Sequence, residues 1–158
     1  MPTPSELAEP YLAGAAALRQ AVKGMTREQI TARPVAGKWS TLEVVCHIAD
    51  FEPILADRMK RVIALDRPQL LGVDENQLAA KLAYQERDLA EELAVVTSTR
   101  QQLARILRGL PDATLERVGV HSERGPKTLG DLLTTATNHI THHVRFISEK
   151  RKALGLPS

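Results

Sequence analysis

The chain has 158 residues, long enough for one buried core, and its 43% hydrophobic share excludes a disordered segment. The formal net charge is +2 with both signs interspersed, so no concentrated basic stripe offers itself to nucleic acid. The single cysteine excludes an intrachain disulfide, and an aromatic share of 3% leaves the core to Leu, Ala, Val and Ile, a composition that favours helices over sheet.

The first ten residues contain Glu6 and Glu9 but no basic residue, unlike a signal peptide. No apolar run is long enough to cross a bilayer. The expectation is a cytoplasmic protein with no membrane partner, folded as a single domain over 1–158.

Thr3-Pro4-Ser5-Glu6 predicts a first helix, with Thr3 as N-cap and Glu6 completing a capping box. Leu7, Tyr11, Ala15, Leu18 and Val22 follow at helical spacing, and Gly24 ends the run. Thr26 to Gln29 repeats the capping pattern for a short second helix, which Pro34 limits. Ser40-Thr41-Leu42-Glu43 is another capping box and starts a long helix to about residue 65. Asp74 can cap a further helix, read as continuous to about Arg108, where Gly109 and Pro111 stop it. Residues 112–127 read as a long connection without a strand, and Thr128-Leu129-Gly130-Asp131 opens the last helix, to about Leu154. The sum is an all-α chain of four substantial helices with one short extra helix, whose apolar stripes are buried together in a four-helix bundle; the helix order stays open.

Three histidines stand out on this scaffold. His139 and His143 are four residues apart, an offset of about 40° with a rise of about 6 Å, so both face one way. Their sector also holds Leu132, Ala136 and Phe146, while His142 lies at its edge and diverges from His143 by about 100°. His47 shares its side of the earlier helix with Val44, Phe51 and Ile54. A lone histidine on an apolar face is ordinarily a core residue. Three in a chain with only five point to one divalent metal held by His47, His139 and His143, with coordination positions left open.

These motifs carry a resemblance. Gly37-Lys38-Trp39-Ser40, followed by Glu43-Val44, His47-Ile48, Asp50 and Glu52, together with Asn138-His139 and His142-His143, resembles the DinB/YfiT-like superfamily over essentially the whole chain. The resemblance implies the four-helix bundle, a homodimer, and a site of zinc or nickel type, with iron or manganese as further options, on His47, His139 and His143. It also implies chemistry on a small molecule, either hydrolysis or transfer and isomerisation with a low-molecular-weight thiol such as bacillithiol or mycothiol. The metal's open position would activate water or thiol. The alternative is a bundle that binds metal without catalysis, or a dimeric small-molecule-binding module. Nucleic acid is not an expected partner.

Other residues are weighed against plain structural roles. Asp50, on the side of His47, is read as an orienting or acid/base residue, with pairing to an arginine as the equal alternative. Glu43 is read as a cap, Glu52 as structural or interfacial, Cys46 as a small buried residue, and Trp39 as packing over the helix start. His121 is expected on the surface. Arg58 lies on the rotational sector of His47, three turns on; it is read as an exposed charge rather than an anion-binding wall. The 57–61 and 150–152 charge runs are read as solvated.

Overall fold

The computed structural model describes residues 2–157, so Met1 and Ser158 of the expected domain lie outside the described residues. Helix α1 spans Pro4–Ala21, α2 Arg27–Thr31, α3 Thr41–Ala64, α4 Glu75–Lys81, α5 Leu89–Arg108 and α6 Leu129–Ala153. The capping boxes at Thr3, Thr26, Ser40 and Thr128 are all formed, each side chain accepting from a backbone N–H while its partner three residues on returns the bond. Helices α1 and α3 each pack on both α5 and α6, so the two pairs alternate around a four-helix bundle. That settles the helix order which the sequence leaves open. Among the described residues no helix is long and apolar enough to cross a membrane.

Two apolar clusters fill the bundle. Tyr11, Leu55, Met59, Leu103 and Leu133 lie towards one end, and Leu18, Val45, Ile48, Val96 and Ile140 towards the other. Between them runs a polar layer. Arg100 of α5 pairs with Glu52 of α3 through Nε–Oε1 at 2.9 Å and Nη2–Oε2 at 3.0 Å, with both residues fully buried. Arg100 also donates to the carbonyls of Tyr11 on α1 and Ala136 on α6, and the Tyr11 hydroxyl donates to Glu52 Oε1 at 2.9 Å. One side-chain network thus joins all four long helices.

Two expectations are corrected. The helix expected from Asp74 to Arg108 is broken after Lys81. Ala83 takes a left-handed conformation at φ +49°, and a single 3-10 turn covers Tyr84–Glu86. Asp88 then caps α5, its side chain accepting from Glu91 N. Leu82, Ala83, Gln85, Glu86 and Arg87 are all good helix formers and no Gly or Pro marks the break, so propensity hides it. Tertiary contacts decide: Tyr84 is buried beside Ile30, Leu42 and Cys46, and Arg87 is tied to α3 and α5.

The connection before α6 contains a small sheet. Strand β1 (Gln69–Leu70) pairs parallel with β2 (Val118–His121), which pairs antiparallel with β3 (Gly125–Thr128), Gly119 standing opposite Lys127. These strands are too short for an alternation to register, and Pro126 sits on an edge strand where its missing N–H costs nothing. Gly119 lets the sheet lie against α3: a Cβ there would come within 2.8 Å of Val62 and Leu70. Arg117 closes the join, donating to the carbonyls of Val62 and Leu65 at the end of α3.

Candidate metal centre

The long helices α3 and α6 deliver the histidines. On α3 the Ser40 cap fixes the helix start, and the buried residues from Leu42 to Ala49 leave His47 only 1% exposed. On α6, Ile140 and Ile147 anchor the helix and direct His139 and His143 at α3. The three rings converge through one atom each: His47 Nε2 lies 3.1 Å from His139 Nε2 and 3.0 Å from His143 Nε2. His142 stays outside, exposed, against Arg145 and Phe146.

This arrangement fits a cation. A neutral imidazole has one N–H, so three Nε2 atoms around one point cannot all be satisfied by bonding to one another. Among the described residues the buried Nδ1 atoms of His47 and His139 have no hydrogen-bond partner, so no neighbour fixes either tautomer and each Nε2 can turn its lone pair inward. Tetrahedral zinc with N ligands near 2.0–2.1 Å would set its nitrogens about 3.3 Å apart, close to the spacing found. Among the described residues, His47, His139 and His143 form the one cluster with metal-ligand geometry.

The surroundings keep the rings neutral. Trp39 and Phe51 flank His47 with ring centroids 5.4 and 4.8 Å away. Burial lowers the pKa of His47, and burial followed by the neighbouring imidazoles brings His139 and His143 down to about 3. The rings are therefore neutral at neutral pH, and each has a lone pair to offer an ion.

Asp50 is held elsewhere. Its two carboxylate oxygens accept from Arg87 Nη1 and Nη2 at 3.1 and 2.8 Å, and it makes no hydrogen bond to a histidine. Arg87 simultaneously pairs with Glu92, so Asp50 fastens the 84–86 turn to α3 and α5. Replacing Asp50 with Asn is expected to lower stability by about 1–2 kcal/mol while leaving metal uptake unchanged; loss of metal from a folded Asp50→Asn protein would reassign it to the site. Glu43, besides capping Ser40, binds Arg33 through both oxygens. Cys46 is fully buried, its thiol pushed up to about 12 chiefly by burial, so it is protonated and inert at neutral pH.

Three residues near the cluster depart from their expected places. Glu75, the residue after the Asp74 cap and not singled out in the sequence, brings its Oε2 to 3.9 Å from His47 Nε2 while half exposed. Nothing in its local sequence marks this; it depends on how α4 packs on α3. His121 is buried instead of superficial, and Arg58 is buried instead of solvated. Both line the cavity of about 180 Å³ that reaches His139 and His143. Burial and the cations Arg58 and Arg124 lower the pKa of His121. Lys150 is buried too, against the solvated reading of its charge run, while Met59 is buried as its apolar position on the helix requires.

The family model described as the DinB superfamily matches residues 11–147. The chain belongs to the DinB superfamily. Among superfamily relatives, proteins of Oceanobacillus iheyensis and Bacillus subtilis bear the name "Putative metal-dependent hydrolase", the latter being YfiT. They are 26% and 27% identical over 85% and 89% of this chain, and 79% of each relative is covered. The solved structure of Bacillus subtilis YfiT, described as having an unusual four-helix bundle topology, superposes with a TM-score of 0.90 at 24% identity, covering 98% of this chain and 89% of that one. This DinB superfamily chain thus shares its bundle with YfiT and has three histidines gathered between α3 and α6.

Proposed function

We propose that this protein is a divalent-metal-dependent enzyme acting on a small molecule, with hydrolysis as its reaction. The observation that carries the reading is the convergence of three imidazoles beside a cavity, with His47 Nε2 3.1 Å from His139 Nε2 and 3.0 Å from His143 Nε2. Zinc or nickel suits three imidazoles best, and iron(II) or manganese is admissible. A bound divalent ion would supply Lewis acidity and lower the pKa of whatever occupies its open position, whether water or a low-molecular-weight thiol. The thiol variant, giving transfer or isomerisation, is supported by the resemblance in the histidine motifs alone.

The chain's own residues take the remaining roles. The three imidazoles would hold the ion and, being neutral, leave it a full positive charge. Glu75 is the carboxylate best placed to take a proton, because its oxygen reaches the cluster while its other side meets solvent. Phe51, Leu55 and Leu132 give the cavity apolar walls that keep bulk water from the reacting end. A homodimer belongs to the same reading, and sedimentation at twice the chain mass tests it.

The test is metal stoichiometry by elemental mass spectrometry on untagged protein, followed by ester, amide and thiol-plus-electrophile screens. Wild type is expected to hold close to one ion, and His47→Ala and His143→Ala to hold none. Glu75→Gln is expected to keep the ion and lose about 10²–10⁴ of the turnover. Retention of metal by both histidine variants would remove the site. Stoichiometric metal with no turnover in any screen would favour the non-catalytic binding module.

A further inference from the structure

Helix α3 carries a second functional-looking side chain on the face of His47. Arg58 follows eleven residues later, an offset of about 20° and a rise of about 16 Å. Its side chain is nine-tenths buried and borders the same cavity as His139 and His143. Among the described residues it has no ion pair. It makes one hydrogen bond, from Nη2 to the Leu71 carbonyl at 2.5 Å, and its buried Nε has no partner. Arg100 is the instructive contrast: fully buried, it makes four hydrogen bonds and pairs with a carboxylate. A buried guanidinium without a counter-ion is unfavourable unless something else supplies the negative charge.

The cavity is polarised along its length. Phe51 and Leu55 lie between His47 and Arg58 on α3, and Leu132 faces them from α6. At the Arg58 end the β2–β3 hairpin contributes Arg124, Lys127 and Glu123; Asp57 is the other nearby charge on α3. At the histidine end the charges acting on His47 are the carboxylates of Glu75, at the cavity rim, and Asp50, which is paired with Arg87. Three cations therefore gather where a ligand's far end would lie, against one cavity-lining carboxylate.

We infer that Arg58 is a specificity-determining residue that receives the terminal carboxylate of a small linear substrate, whose reacting group lies at the three histidines. The guanidinium offers a planar fork matched to a carboxylate, and the apolar middle of the cavity suits a short methylene chain. The position of the reacting end rests on the proposed metal site; the carboxylate contact rests on Arg58 and its cavity.

The experiment titrates hexanoate and hexanamide into chelator-treated and zinc-loaded protein, following the Arg58 Nε–H resonance by ¹⁵N NMR. In both forms hexanoate is expected to bind about tenfold or more tightly than hexanamide and to move that resonance. Arg58→Gln should abolish the preference, and Arg58→Lys should keep part of it. Equal binding of the two probes to wild type overturns the inference, as does a preference that survives Arg58→Gln. A preference confined to zinc-loaded protein also overturns it, because the carboxylate then sits on the ion. Should Arg58→Gln not fold, the wild-type resonance and Arg58→Lys still decide. Zinc stoichiometry on the same samples tests the metal site separately, and the chelated arm reads Arg58 even if no zinc is retained.

Discussion

Replacing Arg100 with Met is expected to lower stability by about 3–5 kcal/mol, a large part of what a domain of this size possesses. The reason is what the substitution leaves behind. Glu52 is fully buried, and burial already raises its pKa against the pull of Arg100. Without the guanidinium it retains only the Tyr11 hydroxyl, and the carbonyls of Tyr11 and Ala136 lose a donor. Arg100→Lys should rescue little, since one ammonium cannot reproduce the fork that meets Glu52 while also reaching two other helices. The double variant Arg100→Met with Glu52→Leu should recover most of the loss, because it removes the uncompensated charge as well as the pair. Urea unfolding at constant slope measures all three. A loss below about 1 kcal/mol for Arg100→Met would mean that the network is not holding the bundle. Gly14 belongs to the same account: a Cβ there would run into Arg100 Nη1, so α1 can approach only as glycine. Ala136 lies three residues before His139 and Glu52 five after His47, so this layer also sets the relative depth of α3 and α6 at the histidines.

How much of this was legible in the sequence follows from the range of the forces involved. The starts of α1, α2, α3 and α6 are local events, written in four-residue capping boxes, and each forms where it is read. The three histidines are legible because helical periodicity converts spacing into direction. Their meeting needed only that two apolar faces pack together. The break at Ala83, the sheet and the place of Glu75 were hidden because each depends on contacts between distant segments. Tyr84 must find Cys46 and Ile30, and β1 must find β2 some fifty residues on. Arg58 is the intermediate case. Its rotation matched that of His47, but an arginine on a long helix is ordinarily solvated, and only the hairpin and the Leu71 carbonyl enclose it.

Acidifying the metal-free protein from pH 7.5 to 5 is expected to withdraw on the order of 2–4 kcal/mol through His139 and His143, allowing for their partial exposure. Folded, both imidazoles titrate at about 3, held down first by burial, then His139 by His143 and His47, and His143 by His47 and His142. Unfolded, they titrate near 6.5. Below 6.5 the unfolded chain takes up protons that the folded chain refuses, so stability falls steadily towards about 3 and is insensitive to these groups above 6.5. His47 is shifted the same way and adds to the slope. The lowered carboxylates of Glu6, Glu43 and Asp131 lose their contribution only below about 4.5, outside the window. Glu52 is raised and acts in the opposite sense, but equally in any histidine variant. The comparison is therefore wild type against a His139→Leu, His143→Leu protein, both with chelator, by urea unfolding at pH 7.5, 6 and 5. The variant should show a flatter dependence and be the more stable at pH 5; identical slopes would sink the account. Zinc at a thousandfold excess over its Kd should then add about 4 kcal/mol to the wild type and nothing to the variant. The desolvation that makes three clustered imidazoles a liability in acid is the same desolvation that keeps them unprotonated as ligands, which is a reason for a bundle to tolerate them only where an ion is to be bound.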